Sequence, residues 1–436
     1  MNAQLFHHRI IQSALDLDVY KINMMQAAHR LYPEAHVRYE LIVRSDEDLS
    51  DLINEVRAEI AQLANCTFSE TDIQYLTMKA PHLSEAFLDY LRYFRFMPQQ
   101  QICVDTIRTL KGKKQLRVSI AGSWKDTILY ETLVMSIISE VRNRRRWDDI
   151  PYKQFMSVLK DKVQRLKAEL SARQITNFRF SEMGSRRRFS YQTQHDMLDY
   201  LRQEIPELLS GTSNYHLARE FDLTPIGTVA HEWFMAHQAM VNVRDSQRVA
   251  LDNWHHTFDG ALGIALTDTI GIDAFLQDFN LRRAQAYAGV RHDSGSPFDW
   301  GDKMIAHYQK LGIDPMSKML IFTDGLNFDR ALEICEYFAG RAQISFGIGT
   351  FLANDMGEWQ NRQGKIYEPL SMVVKMAECN GSPVAKISDE PEKAMCEDLF
   401  FLMNLKQRFG LPVDLDKAIG TLKSMKISQH KFQSVA

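Results

Sequence analysis

The sequence predicts a mixed α/β fold in which a (β/α) barrel beginning near residue 122 follows an α/β portion of different rhythm. Three observations carry this expectation. Beyond residue 177, strand-like runs alternate with helical segments, the pattern of a parallel sheet covered by helices. There are roughly seven such units, which favours a barrel over an open sheet. The first 121 residues mix strands and helices with no repeated βα unit, and 436 residues suffice for a large core.

Each element follows from local pattern. Ser13 to Tyr32 reads as a loop entering a helix, with Ile22, Met25, Ala28 and Leu31 on one face and Pro33 as the stop. Asp16 and Asp18 near its start suit the helix dipole. Val37 to Val43 reads as a strand, Asp46 to Leu63 as an amphipathic helix, and Ser69 to Phe94 as two helices split by Pro81. Ile102 to Leu110 and Leu116 to Ala121 pair as strands about the polar turn Lys111 to Lys114. Two helices follow Gly122: Thr127 to Val141, carrying Glu131 and Glu140, and Trp147 to Arg173, broken near Pro151. Barrel strands are expected at Asn177–Phe180, near Glu207–Gly211, and at Ile226–Ala230, Gly263–Thr267, Tyr287–Arg291, Met319–Phe322 and Ile344–Gly347. Helices between them include His195–Glu204, Asn214–Phe221, Asp299–Leu311 and Phe328–Phe338. The domain limits expected are 1–121 and 122–385, with the segment from about 386 to 436 left to pack on the first domain; its end, Lys423 to Ala436, is polar.

Composition narrows the function. A net charge of −3 argues against a general nucleic-acid binder. Cys66, Cys103, Cys335, Cys379 and Cys396 form no CxxC, so neither a disulfide framework nor a zinc site is expected, and a reducing cytosol fits. No uncharged apolar run is long enough to span a bilayer, and MNAQLFHHRIIQSALD lacks the apolar core of a secretory signal. A cytoplasmic protein with no nucleic-acid or membrane partner is the expectation.

Three consecutive strand ends repeat one design. Arg291-His-Asp-Ser-Gly295, Thr323-Asp-Gly325 and Gly347-Ile-Gly-Thr350 each follow a strand. In a βα barrel those loops form the active face, and small residues let backbone N–H groups approach phosphate. Asp293 and Asp324 could hold ribose hydroxyls or a magnesium ion, and Arg291 suits phosphate or carboxylate. Ser181-Glu-Met-Gly-Ser-Arg-Arg-Arg-Phe-Ser190 offers three arginines to a polyphosphate. Gly211-Thr-Ser-Asn214 is a polar turn in which the neutral Ser213 would tolerate a carboxylate. No Gly-x-x-x-x-Gly-Lys-[Ser/Thr] is present, so any use of ATP is not of the P-loop kind.

His231, in Thr224-Pro-Ile-Gly-Thr-Val-Ala-His-Glu-Trp-Phe-Met-Ala-His237, stands at a strand-to-helix junction. Structural helix-start residue and nucleophile or proton-transfer group are both open from this stretch alone. Zinc ligation with His237 is excluded, because six residues apart on a helix point in different directions.

Taken together, Asp16-Leu-Asp-Val-Tyr-Lys-Ile-Asn-Met-Met-Gln26, Gly184-Ser-Arg-Arg-Arg-Phe-Ser190, Gly211-Thr-Ser-Asn214, Gly227-Thr-Val-Ala-His-Glu-Trp233, Arg291-His-Asp-Ser-Gly295 and the two glycine loops after it closely resemble nicotinate phosphoribosyltransferases. The resemblance runs to at least Phe351. It implies an irregular (β/α) barrel with an N-terminal α/β sandwich domain, in a homodimer with active sites near the interface. It implies conversion of nicotinate and 5-phosphoribosyl-1-diphosphate to nicotinate mononucleotide and diphosphate, with Mg²⁺ and coupled ATP hydrolysis. His231 would be transiently phosphorylated, with Asp268 orienting its imidazole and Glu232 beside it. Tyr20 would reach the neighbouring subunit's site, and Met183 stands where nicotinamide-using relatives stack an aromatic ring. Gly184, Arg186, Ser213 and Thr228 would contact substrate from one side. Arg291, Asp293, Ser294, Asp324, Gly325, Gly347, Gly349 and Thr350 would do so from the other.

Overall fold

A computed structural model describes residues 3–6, 8–108, 112–390 and 394–413. The expected tail Lys423 to Ala436, part of the turn at Lys111 and most of the segment after 386 lie outside those residues.

Two sheets organise the chain. The first is antiparallel, with strand order β11-β10-β1-β3-β2. Its strands are β1 (His36–Val43), β2 (Ile102–Arg108), β3 (Lys114–Ser123), β10 (Met372–Cys379) and β11 (Ser382–Pro383). In β1, Val37, Tyr39 and Leu41 are buried while the alternate residues are not, the period-two pattern of a sheet with one covered face. The register sets Glu40 against Lys375 on one side and Tyr39 against Ile120 on the other. The strands β10 and β11 fall inside the range expected for the barrel, 122–385, yet they join the N-terminal sheet. Local pattern does not reveal a partner more than 300 residues upstream.

The second sheet is parallel, with order β5-β4-β9-β8-β7-β6. Its strands are β4 (Phe180–Glu182), β5 (Leu209–Thr212), β6 (Ile264–Leu266), β7 (Gly289–His292), β8 (Met319–Phe322) and β9 (Gln343–Ile348). Helices follow these strands, among them Tyr191–Glu204, Pro297–Lys310 and Phe328–Tyr337. Phe180, Phe322, Phe328 and Phe346 fill the space between sheet and helices. This is the irregular α/β architecture expected, with one correction. Ile226–Ala230 is not a strand; beside the bridge between Thr212 and Pro225 it meets the sheet through Ile226 N donating to the Thr212 carbonyl and Arg291 donating to the Val229 carbonyl. The helix Val19–Leu31 packs against it instead. A Cβ on Gly227 would lie 2.9 Å from the Tyr20 nitrogen, and Asn23 Nδ2 donates to the Gly227 carbonyl at 3.0 Å. The backbone is thereby satisfied outside a ladder. Smaller corrections concern β4, which starts at Phe180 rather than Asn177, and the long helix, which begins at Tyr152 after Pro151.

Candidate active site

Loops at the carboxyl ends of the parallel strands, together with β1 and β10 of the antiparallel sheet, enclose one cavity of about 640 Å³. Tyr20, Met183, Gly184, Arg186, Ser213 and Thr228 line it from one side, with His231 and Glu232. Arg291, Asp293, Asp324, Gly325, Gly347, Gly349 and Thr350 line it from the other. The sequence-predicted residues therefore converge, with two exceptions: Asp268 and Ser294 sit behind the wall.

His231 opens the helix His231–Met240 and is buried. Its Nε2 lies 2.8 Å from Oδ1 of Asp268 and 3.5 Å from Oδ2 of Asp293. Its Nδ1 has no hydrogen-bond partner among the described residues. Burial, aided by the nearby Lys386 ammonium, holds the imidazole down at about 4 against the pull of Asp268, so the ring is neutral near pH 7. With a carboxylate at Nε2 the proton belongs there, and the Nδ1 lone pair is left available. Asp268 is fixed in turn: its Oδ2 accepts from Ser294 Oγ at 2.7 Å and from Lys386 Nζ at 3.0 Å. Burial pushes this carboxyl up, but His231 and Lys386 outweigh that and hold it well below the usual range. Ser294 thus supports Asp268 rather than facing the cavity. His237 points away, its Nε2 2.9 Å from the Tyr32 hydroxyl and its Nδ1 2.7 Å from the Trp233 carbonyl.

The arginine run divides by role. Arg188 is fully buried and paired with both oxygens of Asp16, at 2.8 and 2.9 Å. It is structural, and Asp16 serves it rather than the helix dipole. Arg186 Nε lies 3.2 Å from Asp18 Oδ2, and its guanidinium lies 5.6 Å from the centre of the Tyr20 ring. Arg187 lines the cavity with no carboxylate within ion-pair distance among the described residues, and burial together with Arg186 and Arg44 brings it down to about 10. Lys375 from β10 also faces the cavity, held down to about 8 by burial. A guanidinium without an ion-pair partner among the described residues and a lysine ammonium that stays mostly charged near pH 7, beside glycine loops, make an anion site. The loops must stay bare: a Cβ on Gly347 would meet Met183 Sδ at 2.4 Å, and one on Gly349 would meet the Met183 carbonyl oxygen at 2.7 Å.

Asp293 receives Thr323 Oγ1 at 2.8 Å and is held at about 2, its burial outweighed by Arg291 and His231. The atoms of His231, Asp268 and Asp293 lie close enough for a cation. The Lys386 ammonium, 3.0 Å from Asp268 and 3.9 Å from Asp293, already fills that charge role. A hard divalent cation therefore fits better at the cavity faces of Asp293 and Asp324, with phosphate oxygens completing its shell.

Ser213 donates its hydroxyl to Asp18 Oδ1 at 2.5 Å. Glu232 accepts from Tyr39 at 2.6 Å and pairs with Lys21, so its carboxylate is committed to those partners and not to His231. Tyr20 lines the cavity of its own chain, where the resemblance implied a reach into a neighbour. Asp18, Arg44, Lys375 and Lys386 are not among the residues expected from sequence, whereas Arg187 is one of the three arginines offered there to a polyphosphate. Lysines within the apolar runs Met372–Ala377 and Val384–Ile387 were the one visible signal.

Carboxylates, unpaired cations and glycine loops around a neutral histidine, at the carboxyl ends of parallel strands, define an enzyme that handles phosphorylated substrates. Residues 178–413 match the model of the nicotinate phosphoribosyltransferase (NAPRTase) family, and residues 15–139 match that of its N-terminal domain. The chain is 71% identical to a nicotinate phosphoribosyltransferase of Vibrio vulnificus (strain CMCP6) over all of both chains. It superposes on a crystal structure of nicotinate phosphoribosyltransferase from Vibrio cholerae with a TM-score of 0.94 at 63% identity, covering 97% of this chain and 99% of that one. A Porphyromonas gingivalis nicotinate phosphoribosyltransferase gives 0.84 at 33% identity, covering 92% and 100%. The chain belongs to the nicotinate phosphoribosyltransferase family.

Proposed function

We propose that the cavity joins nicotinate to the ribose of 5-phosphoribosyl-1-diphosphate, giving nicotinate mononucleotide and diphosphate, with ATP hydrolysis coupled through a phosphohistidine at His231. Family membership supports the transfer. The observation that carries the coupling is the His231–Asp268 pair, which leaves Nδ1 open beside the phosphate loops. In the transfer, the pyridine nitrogen forms a bond to ribose C1 as the bond from C1 to diphosphate breaks. Positive charge builds on the sugar, and the carboxylates of Asp293 and Asp324 stabilise it. Arg186, Arg187, Arg291 and Lys375 receive the phosphates, and nicotinate needs no strong general base. In the coupled step, Nδ1 of His231 takes the terminal phosphoryl of ATP as the bond to ADP breaks, and water later returns phosphate. Asp268 holds the Nε2 proton throughout. Mg²⁺, held by Asp293 or Asp324 with the substrate phosphates, would neutralise phosphate charge.

The reaction opens NAD salvage from nicotinate. We place it in the cytoplasm, in keeping with five free cysteines and, among the described residues, no helix long and apolar enough to cross a membrane. A homodimer with sites near the interface is the assembly the family likeness suggests, and sedimentation measures it. Turnover of nicotinate and 5-phosphoribosyl-1-diphosphate with Mg²⁺, with and without ATP, tests the transfer; no diphosphate under either condition would sink it. Acid-labile ³²P from ATP should mark the protein but not His231→Ala, and label on the variant rules out His231.

A further inference from the structure

We infer that Lys21 is a positioning residue that ties the helix turn carrying His231 to the Arg186 cation, and so couples the two ends of the cavity. This rests on the phosphohistidine reading above. Lys21 lies in the helix Val19–Leu31, is fully buried, and is not part of the cavity wall. Its Nζ sits 2.5 Å from Oε2 of Glu131 and also pairs with Glu232. These two carboxylates come from different helices, Tyr130–Arg146 and His231–Met240.

Each carboxylate leads to one end of the site. Glu232 follows His231 directly in the first helical turn, and its other oxygen accepts from Tyr39 of β1 at 2.6 Å. Glu131 faces Arg186 at 4.0 Å, and Arg186 continues to Asp18 at 3.2 Å and so to Ser213. The chain of charges therefore runs along the cavity wall, from the helix that carries His231 to the residues around Tyr20 and Ser213, with Lys21 behind it as the link. Burial would drive the Lys21 proton off, but Glu131 and Glu232 outweigh it and keep the ammonium charged. Removing the ammonium leaves two buried carboxylates facing each other at the cavity wall, so one takes up a proton or the first turn of the helix moves from Glu131, and either change alters the hold on Arg186. A new phosphoryl charge on His231 acts on the same buried network, whose low dielectric transmits it further than water would.

The test uses the full protein, unchanged and as Lys21→Met and Tyr39→Phe. Two quantities are read: acid-labile ³²P on the protein from ATP, and ATP consumed per mononucleotide formed. In Lys21→Met the label should persist while ATP consumed per product rises about tenfold. If labelling and transfer fall together with the ratio unchanged, Lys21 merely holds the fold and the inference is overturned. Should Lys21→Met fail to fold by circular dichroism, Tyr39→Phe decides. It removes one donor to Glu232 and keeps Lys21, and the ratio should rise about threefold. An unchanged ratio in a folded Tyr39→Phe overturns the inference. Absence of label on the unchanged protein removes the phosphohistidine reading instead, and the inference with it.

Discussion

Nε2 of His231 lies 2.8 Å from Oδ1 of Asp268, in a buried pair that commits one ring nitrogen and leaves the other to the cavity. Asp268→Asn keeps the shape but lets the amide donate, which favours the opposite tautomer and occupies the Nδ1 lone pair with a proton. Phosphorylation of His231 by ATP should slow by about 10²–10⁴-fold, as read by quench-flow of acid-labile label. ATP-independent transfer should change far less. Equal loss of both would show that Asp268 serves the fold rather than the histidine.

Arg187 is the cation whose removal should separate binding from stability. It is half-buried, lines the cavity, and among the described residues has no carboxylate at ion-pair distance, with Asp293 and Asp324 acting on it only from farther off. A partly buried charge with no contacting partner costs the folded state. Arg187→Met should therefore keep or raise the melting temperature while KM for 5-phosphoribosyl-1-diphosphate rises about 10–100-fold. A lowered melting temperature with unchanged KM would assign Arg187 to the scaffold.

Ser213 and Asp18 share one hydrogen bond at 2.5 Å. Ser213→Asp would set a second carboxylate against the first, close to where an anionic base must lie. The ratio of kcat/KM for nicotinate over nicotinamide should fall by about tenfold or more. An unchanged ratio would place the specificity elsewhere, with Asp18 the next residue to vary.

His237 predicts a pH dependence of stability. Burial lowers it from 6.5 to about 4 in the folded protein. A folded-state value below the unfolded one means that the unfolded chain takes the proton first. Stability from this group is complete above 6.5 and is lost as the pH falls from 6.5 toward 4. Between pH 7 and pH 5 the loss is about 2 kcal/mol. Urea unfolding of His237→Gln should give a lower stability at pH 7 but a flatter slope over that window. A slope equal to that of the unchanged protein would show that other groups set the acid limb.

The barrel strands β6 to β9 and their loops are legible in the sequence because each signal is local: a short apolar run, then a loop carrying an Asp or closely spaced glycines, then a helix start. His231 was legible as a junction residue but not as a nucleophile, since its chemistry comes from Asp268, 37 residues on. Lys386 was invisible in its role, because only folding brings it to 3.0 Å from Asp268. The expected strand at Ile226–Ala230 fails for a related reason. Its pattern suits a strand, but the helix Val19–Leu31 lies against Gly227 and supplies the backbone partner. Where a carboxylate or backbone group can be satisfied by distant residues, local pattern says what it is and not where it points.

The pairing of β1 with β10 has a consequence for how the chain is made. Emerging from the ribosome, the chain up to Ser123 can form β1, β2 and β3, but Val37 to Val43 then present an unfilled row of backbone donors and acceptors. That row stays open until Met372 to Cys379 have been synthesised, so the nascent protein carries a sticky edge through most of its translation. Lys375 and the neighbouring Arg44 reach the cavity only when that last strand closes the row. Pairing of β10 with β1 and arrival of Lys375 at the cavity are therefore one event, and a chain that stops short of Met372 lacks that part of the wall.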